Sequence, residues 1–181
     1  MKRIGLVPMA GKPVHAGHWQ LIKLASIEND VVELFVSTGD RENIAGSTMK
    51  EVWERFLTPS LPTNVVLSFV KVPVKSVYDR IGAAEARREQ DEYFIYSDAD
   101  DILKYKSKSL LKEAKNTFEE GRIHLRGISR TETTNVSGSE LRKLLRENSK
   151  KKFIALLPGD VKHNGEAIWK LLRSSLLVEE T

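Results

Sequence analysis

The 181-residue sequence contains no cysteine, and only 7% of its residues are aromatic. Without cysteine the chain can form neither a disulfide framework nor a thiolate metal site. No apolar run is long enough to span a bilayer, and the first residues show no secretory hydrophobic region. We therefore expect a cytoplasmic protein that has no membrane partner.

Positive charge is in modest excess, with a net charge of +4 and a pI near 9.2. The lysines are dispersed, and the one run, Lys150 to Lys152, is typical of a solvated helix start. No RNA-binding pattern of basic residues with interleaved aromatics is present. We expect no nucleic-acid partner, and a basic pocket would instead suit a polyphosphate.

Short apolar runs of strand type alternate with helical patterns along the chain. Strands are predicted over residues 4–7, 31–37, 65–72, 93–96 and 123–125. Helices are predicted over residues 17–28, 49–57, 77–89, 106–118, 137–147, 153–157 and 166–177. This alternation predicts an α/β fold: a Rossmann-like five-stranded parallel sheet with helices on both faces and a short helical C-terminal extension. We expect one domain over residues 1–181, with a core over 1–147 and the extension over 148–181.

The first candidate site follows the first predicted strand, where the sequence runs Pro-Met-Ala-Gly-Lys-Pro-Val-His-Ala-Gly-His from residue 8 to 18. A helix start at this point would offer free N–H groups and the positive end of a helix dipole to an anion. His15 and His18 are three residues apart, so both imidazoles can point the same way. Lys12 adds a fixed positive charge. The pattern favours charge stabilisation at a phosphate.

The second candidate site lies between Arg130 and Arg142. Ser137 and Glu140 fit a capping box at the start of an amphipathic helix. That structural role is common, but two flanking arginines and the donors of a Ser-Gly-Ser sequence favour polyphosphate binding. Ligands of open parallel sheets bind outside the carboxyl ends of the strands, which would bring both candidate sites together after strands one, four and five.

Together the two segments resemble the nucleotidyltransferase superfamily with the HxGH signature. His15-Ala16-Gly17-His18 matches the first motif, and the Ser-Gly-Ser-Glu-Leu-Arg sequence of residues 137–142 resembles the second motif of nicotinamide-nucleotide adenylyltransferases. The resemblance spans residues 1 to about 145. It implies Mg²⁺ bound through the triphosphate, and in-line attack by an acceptor phosphate without a covalent enzyme intermediate.

The resemblance also assigns residues to roles. His15 and His18 would be catalytic, at the α-phosphate transition state, and we expect Lys12 to be the third catalytic residue because of its positive charge beside them. Ser137, Ser139 and Arg142 would hold the β- and γ-phosphates. The full nucleotide-binding set that we expect is Pro8, Met9, Ala10, Gly17, Asp98, Arg130, Ser137, Gly138, Ser139 and Arg142. Arg41 is expected to bind the acceptor, and no residue is expected to bind a metal directly.

The sequence departs from this family in several places. The phenylalanine that usually precedes the first histidine is missing, because residues 9–13 read Met-Ala-Gly-Lys-Pro. Arg130-Thr131-Glu132 is similar to a cytidylyltransferase motif. The C-terminal sequences Leu156-Leu157-Pro158 and Ile168-Trp169 are similar to small phage-encoded members. These features affect the choice of base and acceptor more than the chemistry.

Two further residue sets have more than one interpretation. Asp98 could contact the ribose or help to hold Mg²⁺, and an acidic loop with no ligand is an equal alternative. Trp53 and Trp169 occur at helical spacing with other apolar residues, which predicts core packing rather than base stacking.

The sequence favours transfer of AMP from ATP to an acceptor phosphate, with nicotinamide mononucleotide as the first candidate acceptor. A cytidylyltransferase that uses CTP to form a CDP-linked product, and a non-catalytic nucleotide-binding domain, are the alternatives. The expected partners are a nucleoside triphosphate and a small phosphorylated acceptor. The sequence is compatible with a homo-oligomer.

Overall fold

The structure is a computed structural model that describes residues 1–129 and 136–177. Five strands form one sheet: β1 (Arg3–Met9), β2 (Val31–Ser37), β3 (Val65–Val70), β4 (Glu92–Asp98) and β5 (Ile123–Ile128). Their order is β3-β2-β1-β4-β5, and every neighbouring pair is parallel. The predicted Rossmann-like five-stranded parallel sheet is confirmed.

Eight α-helices connect and follow the strands within the described residues: α1 (Ala16–Glu28), α2 (Gly46–Val52), α3 (Pro73–Ala86), α4 (Ser107–Glu113), α5 (Lys115–Glu119), α6 (Gly138–Arg146), α7 (Lys150–Ala155) and α8 (Gly165–Ser174). Shorter helical turns cover Trp53–Leu57, Thr58–Ser60, Asp101–Lys104 and Gly159–Asn164.

The helix boundaries differ from the predicted ones where backbone or packing overrides the sequence pattern. The helix predicted over 106–118 is two helices, because the backbone of the fully buried Ala114 leaves the helical region. The third strand, predicted over 65–72, ends at Val70. Pro73 is the first residue of α3, where its missing N–H needs no partner.

Apolar side chains cover the two faces of the sheet in separate clusters. One cluster joins the sheet to helices α1, α2, α6, α7 and α8, and the other joins it to α3 and α4. Trp53 and Trp169 lie in the first cluster and are buried, which confirms their predicted role in the core. The helices that follow residue 147 therefore share the hydrophobic core of the sheet.

The strand order determines where a ligand can bind. From the central strand β1 the chain moves outward to β2 and β3, and it then crosses to the other side of β1 for β4 and β5. At such a switch point the loops after neighbouring strands diverge and leave a crevice at the carboxyl edge of the sheet. Among the residues that the structure describes, no helix is long and apolar enough to cross a membrane.

Candidate active site

A cavity of about 560 Å³ lies at the carboxyl edge of the sheet. Its volume is typical of a site for a small organic ligand. Five Lys and Arg side chains line it, against two Asp side chains: Lys12, Arg41, Lys71, Lys104 and Arg142, with Asp98 and Asp101. This excess of positive charge suits a polyphosphate ligand.

The structure brings the two sequence motifs together in this cavity. The predicted residues that line it are Pro8, Met9, Ala10, Lys12, His15, Gly17, His18, Arg41, Asp98, Ser137, Gly138, Ser139 and Arg142. Arg130 lies outside the described residues. Two segments that are about 120 residues apart in sequence therefore face the same space.

The two histidines cap each other at the start of α1. The backbone N–H of His18 donates to Nδ1 of His15 over 3.2 Å, and the backbone N–H of His15 donates to Nδ1 of His18 over 3.3 Å. The rings stack with their centroids 3.7 Å apart. This arrangement requires a His-x-x-His spacing, because residues at the N-cap and at the third helical position lie one above the other.

The reciprocal capping determines how the imidazoles are protonated. Each Nδ1 accepts a hydrogen bond, so in the neutral ring the proton is on Nε2, which can act as a donor. Burial lowers the pKa of His18 well below its usual value, and the neighbouring His15 lowers it further. At neutral pH His18 is therefore an uncharged N–H donor.

The start of α1 is less open than the sequence suggests. We predicted free N–H groups here, but the N–H of Ala16 donates to the carbonyl of Leu156 over 3.0 Å. The N–H of His18 is used by His15. The imidazole rings, rather than a row of backbone N–H groups, are therefore the main donors that α1 presents to the cavity.

Lys12 lies between the carboxyl ends of β1 and β2. Its Nζ donates to the carbonyl oxygens of Ala10 and Ser37, and the residue is buried. Burial lowers the pKa of Lys12 to about 8, although the nearby carboxylate of Asp40 acts in the opposite direction. The positive charge that we predicted to be fixed is therefore titratable close to neutral pH.

Arg142 joins the second motif to the first. Its Nη1 donates to the carbonyl of Lys12 over 2.8 Å, and its Nη2 donates to Ser139 Oγ over 3.0 Å. Ser137 caps α6 by accepting from the N–H of Glu140, which is one of the two hydrogen bonds of the predicted capping box. An ion pair with Glu42, with Nε and Oε2 2.9 Å apart, completes the surroundings of Arg142.

Gly138 is required by the close approach of the two motifs. A Cβ atom at this position would lie 2.9 Å from Nη1 of Arg142 and 3.6 Å from the carbonyl oxygen of Lys12. Any side chain would displace the guanidinium from the first motif. The glycine of the Ser-Gly-Ser sequence is thus explained by packing against Arg142.

Asp98 ends β4 and turns the chain into the helical turn Asp101–Lys104. Its Oδ1 accepts from the N–H groups of Asp100 and Asp101 over 3.0 Å and 2.7 Å. Within residues 1–129 and 136–177 no group of three His, Cys, Asp or Glu side chains is placed to hold a metal ion.

One side of the cavity was missed by the sequence analysis. Lys71 and Pro73, at the junction of β3 and α3, line it together with Lys104 and Tyr105. The hydroxyl of Tyr105 is buried and has no hydrogen-bond partner among the described residues. The only signal in the sequence was position, because all of these residues follow the carboxyl end of a strand.

Several solved structures have a similar fold. A protein from Vibrio parahaemolyticus that is assigned as a nicotinate-nucleotide adenylyltransferase superimposes with a TM-score of 0.61 and 16% identity, over 92% of this chain and 99% of that one. The nicotinic acid mononucleotide adenylyltransferase of Plasmodium falciparum, complexed with APC, gives 0.57 and 12%, over 95% and 98%.

A third similar structure is Thermotoga maritima TmcAL bound with alpha-thio ATP, with a TM-score of 0.53 and 14% identity. That alignment covers 96% of this chain and 56% of TmcAL. No protein-family model and no curated protein matches the sequence. At these identities the comparisons establish a common α/β fold, and the function has to be argued from the site.

Proposed function

We propose that this chain is a nucleotidyltransferase that moves the adenylyl group of ATP to the phosphate of a pyridine mononucleotide, such as nicotinamide mononucleotide, and releases pyrophosphate. The observation that carries the proposal is the stacked pair of His15 and His18, which lines one cavity with Lys12 and Arg142. The uncharged N–H donor of His18 beside two cationic side chains suits the build-up of negative charge on a phosphate in the middle of a triphosphate.

The reaction asks little covalent chemistry of the protein. An oxygen of the acceptor phosphate forms a bond to the α-phosphorus, and the bond from that phosphorus to the oxygen bridging to the β-phosphate breaks. Pyrophosphate leaves with the electron pair. The acceptor oxygen is already anionic, so no proton has to be removed from it. Catalysis then consists of positioning and charge stabilisation.

The residues divide these tasks by their position in the cavity. The Nε2–H groups of His15 and His18 would donate to the oxygens of the α-phosphate. Arg142 and the start of α6 would receive the β- and γ-phosphates, and Lys12 would add positive charge beside them. Mg²⁺, carried by the triphosphate, would neutralise the leaving pyrophosphate.

The acceptor would bind on the side of the cavity that faces Arg41. The fold similarity to two proteins named as adenylyltransferases of nicotinate or nicotinic acid mononucleotide supports ATP as the donor and a pyridine mononucleotide as the acceptor. The excess of positive charge in the cavity also suits two anionic substrates that must lie side by side.

Pyrophosphate release tests the proposal directly. The purified protein is incubated with Mg²⁺ and each of ATP, GTP, CTP and UTP, in combination with nicotinamide mononucleotide, nicotinate mononucleotide or phosphocholine. We expect release with ATP and a pyridine mononucleotide, together with a dinucleotide product of the matching mass. Pyrophosphate release with CTP and with no other triphosphate would support a cytidylyltransferase. Binding of ATP without pyrophosphate release in any combination of triphosphate and acceptor would support a non-catalytic domain.

A further inference from the structure

Glu42 holds the guanidinium of Arg142, a residue that lines the cavity. Its Oε2 accepts from Nε of Arg142 over 2.9 Å, and its Oε1 lies 3.5 Å from Nη2. Nη1 of Arg146 lies 3.4 Å from the same Oε2. The hydrogen bond from Arg142, supported by the charges of both arginines, lowers the pKa of Glu42, so its carboxylate is anionic at neutral pH.

A carboxylate and a phosphate compete for the same guanidinium fork. Arginine binds both anions through two parallel N–H donors, so Nε and Nη2 of Arg142 cannot serve Glu42 and a triphosphate at once. Of the other donors, one N–H of Nη1 is directed to Lys12 and one N–H of Nη2 to Ser139. An anion that binds this arginine through Nε and Nη2 therefore has to take the place of Glu42.

The two partners differ in their freedom to move. The Arg142 side chain is 5% exposed and is held by the backbone of Lys12, whereas the Glu42 side chain is 49% exposed. Glu42 has a backbone φ of +51°, a left-handed conformation that is rare for a residue with a side chain. It belongs to the turn in which Arg41 and Ile44 pair through their backbones.

The same turn also contains a buried polar side chain whose hydrogen bonds are not satisfied within the described residues. Both amide atoms of the Asn43 side chain are buried without a hydrogen-bond partner among the described residues. Such an arrangement is unfavourable unless something else holds the turn in place. The ion pair between Glu42 and Arg142 is one such contact, and the hydrogen bond from the N–H of Leu177 to the carbonyl of Asn43 is another.

We propose that Glu42 is an internal competitor of the substrate: it holds Arg142 in the unliganded protein and is displaced into solvent by the terminal phosphates of a nucleoside triphosphate. The inference rests on the proposed function only in that the cavity binds a triphosphate through Arg142. Glu42 then sets the affinity for the triphosphate, because the apparent affinity falls with the fraction of protein in which Arg142 is available.

The test is the substitution Glu42→Gln, with binding of MgATP and of inorganic tripolyphosphate measured by calorimetry at low salt. Glutamine keeps the length of the side chain but loses the charge, so we expect both probes to bind about fivefold more tightly. Glu42→Asp keeps the charge and shortens the reach, so tighter binding is expected there too. That result would separate competition from a change in net charge.

The matched control is Glu147→Gln at the end of α6. Glu147 is 52% exposed and pairs with Lys143, so this variant makes the same charge change without altering Arg142. Weaker binding in Glu42→Gln would mean that Glu42 positions Arg142 for the ligand, and it would overturn the inference. A gain equal to that of Glu147→Gln, or a gain that persists when Arg142 is changed to Met, would also overturn it.

The outcome is distinguishable from failure of the proposed function. Tighter binding in Glu42→Gln without pyrophosphate release would support the competitor and contradict the transferase. Pyrophosphate release by the wild type, together with equal triphosphate binding in the wild type and Glu42→Gln, would support the transferase and contradict the competitor. Absence of triphosphate binding in both the wild type and Glu42→Gln would overturn both.

Discussion

His15 and His18 hold each other in place, since the backbone N–H of each one donates to Nδ1 of the other while the two rings stack. Each ring therefore satisfies a local structural need and is oriented by it. In His18, which is uncharged at neutral pH, the opposite ring nitrogen carries the proton and is oriented as a donor. A pair built in this way can stabilise charge on a ligand without reorganising when the ligand arrives, which is the property that electrostatic catalysis requires.

Changing His18 to Ala should lower turnover much more than substrate binding. Loss of one directed donor to a developing negative charge typically lowers kcat about 10²- to 10³-fold. The triphosphate keeps Lys12 and Arg142, so its KM should change little. The measurement is steady-state pyrophosphate release over a range of ATP concentrations.

His163→Ala is the matched control for this variant. His163 is exposed in the turn Gly159–Asn164 and bonds to Asn164, away from the cavity. We expect wild-type kinetics from it. Wild-type turnover in His18→Ala would remove the histidine pair from the mechanism.

The charge of Lys12 should make triphosphate binding depend on pH. Its pKa is lowered to about 8, so the ammonium is charged below that pH and is lost as the pH rises through it. Affinity for MgATP should therefore fall about tenfold between pH 7 and pH 9.5, because a neutral amine no longer attracts the phosphates. Calorimetric titrations at intervals of half a pH unit would measure the decline.

Two variants isolate this effect. Lys12→Arg retains its charge throughout this range and should bind with no decline, whereas Lys12→Met should bind weakly at every pH. If Lys12→Met declined with pH as the wild type does, another group would be responsible.

The sequence could predict the sheet and both halves of the site because those features are local. A short apolar run, a histidine pair one helical turn apart and a capped helix start each depend on a few consecutive residues. The carboxyl ends of parallel strands share one edge, so the place where Lys12 and Arg142 meet follows from the strand order. The reciprocal capping of His15 and His18 was not predicted, because it requires that the helix begin at Ala16 with His15 as its N-cap.

The remaining features depend on contacts that no local pattern encodes. Glu42 and Arg142 are 100 residues apart, and Glu42 alone resembles an ordinary surface charge. Tyr105 lines the cavity at the end of the helical turn Asp101–Lys104, which packs against β4 and β5. The hydrogen bond from the N–H of Ala16 to the carbonyl of Leu156 depends on how the C-terminal helices pack against the start of α1. The helical pattern of residues 153–157 does not determine that packing.

Changing Gly138 to Ala should weaken triphosphate binding without unfolding the protein. The new Cβ would lie 2.9 Å from Nη1 of Arg142, so the guanidinium has to move away from the carbonyl of Lys12. A misfit of this kind costs about 1–3 kcal/mol, which corresponds to roughly a tenfold or larger rise in Kd for MgATP.

Gly159→Ala makes the same substitution where a Cβ meets nothing within 4 Å, and it should bind MgATP as the wild type does. Equal affinities in the two alanine variants would show that the contact between Arg142 and the first motif is dispensable for binding.

Changing Phe153 to Ala should destabilise the whole molecule rather than the C-terminal helices alone. Phe153 is fully buried, packs edge-on against Trp169 at 5.2 Å between ring centroids, and belongs to the cluster that covers the sheet. Truncating a buried phenylalanine costs about 3–5 kcal/mol, which should lower Tm by roughly 10 °C in a domain of this size. Leu103→Ala, at an exposed position, is the control.

Thermal unfolding of Phe153→Ala should be followed by circular dichroism and by tryptophan fluorescence, because the two signals report on different parts of the molecule. Circular dichroism follows the helices and sheet, and fluorescence follows the three tryptophans, Trp19, Trp53 and Trp169. The indole N–H of Trp19 donates to Asp160 over 2.9 Å, and Trp169 contacts Phe153 itself. The carbonyl of Leu156 also accepts from the N–H of Ala16, so loss of the C-terminal helices should disturb the start of α1 and the histidine pair. One shared transition at a lower temperature is therefore expected, whereas an early partial transition that leaves the second one at the wild-type temperature would mean that the extension unfolds on its own.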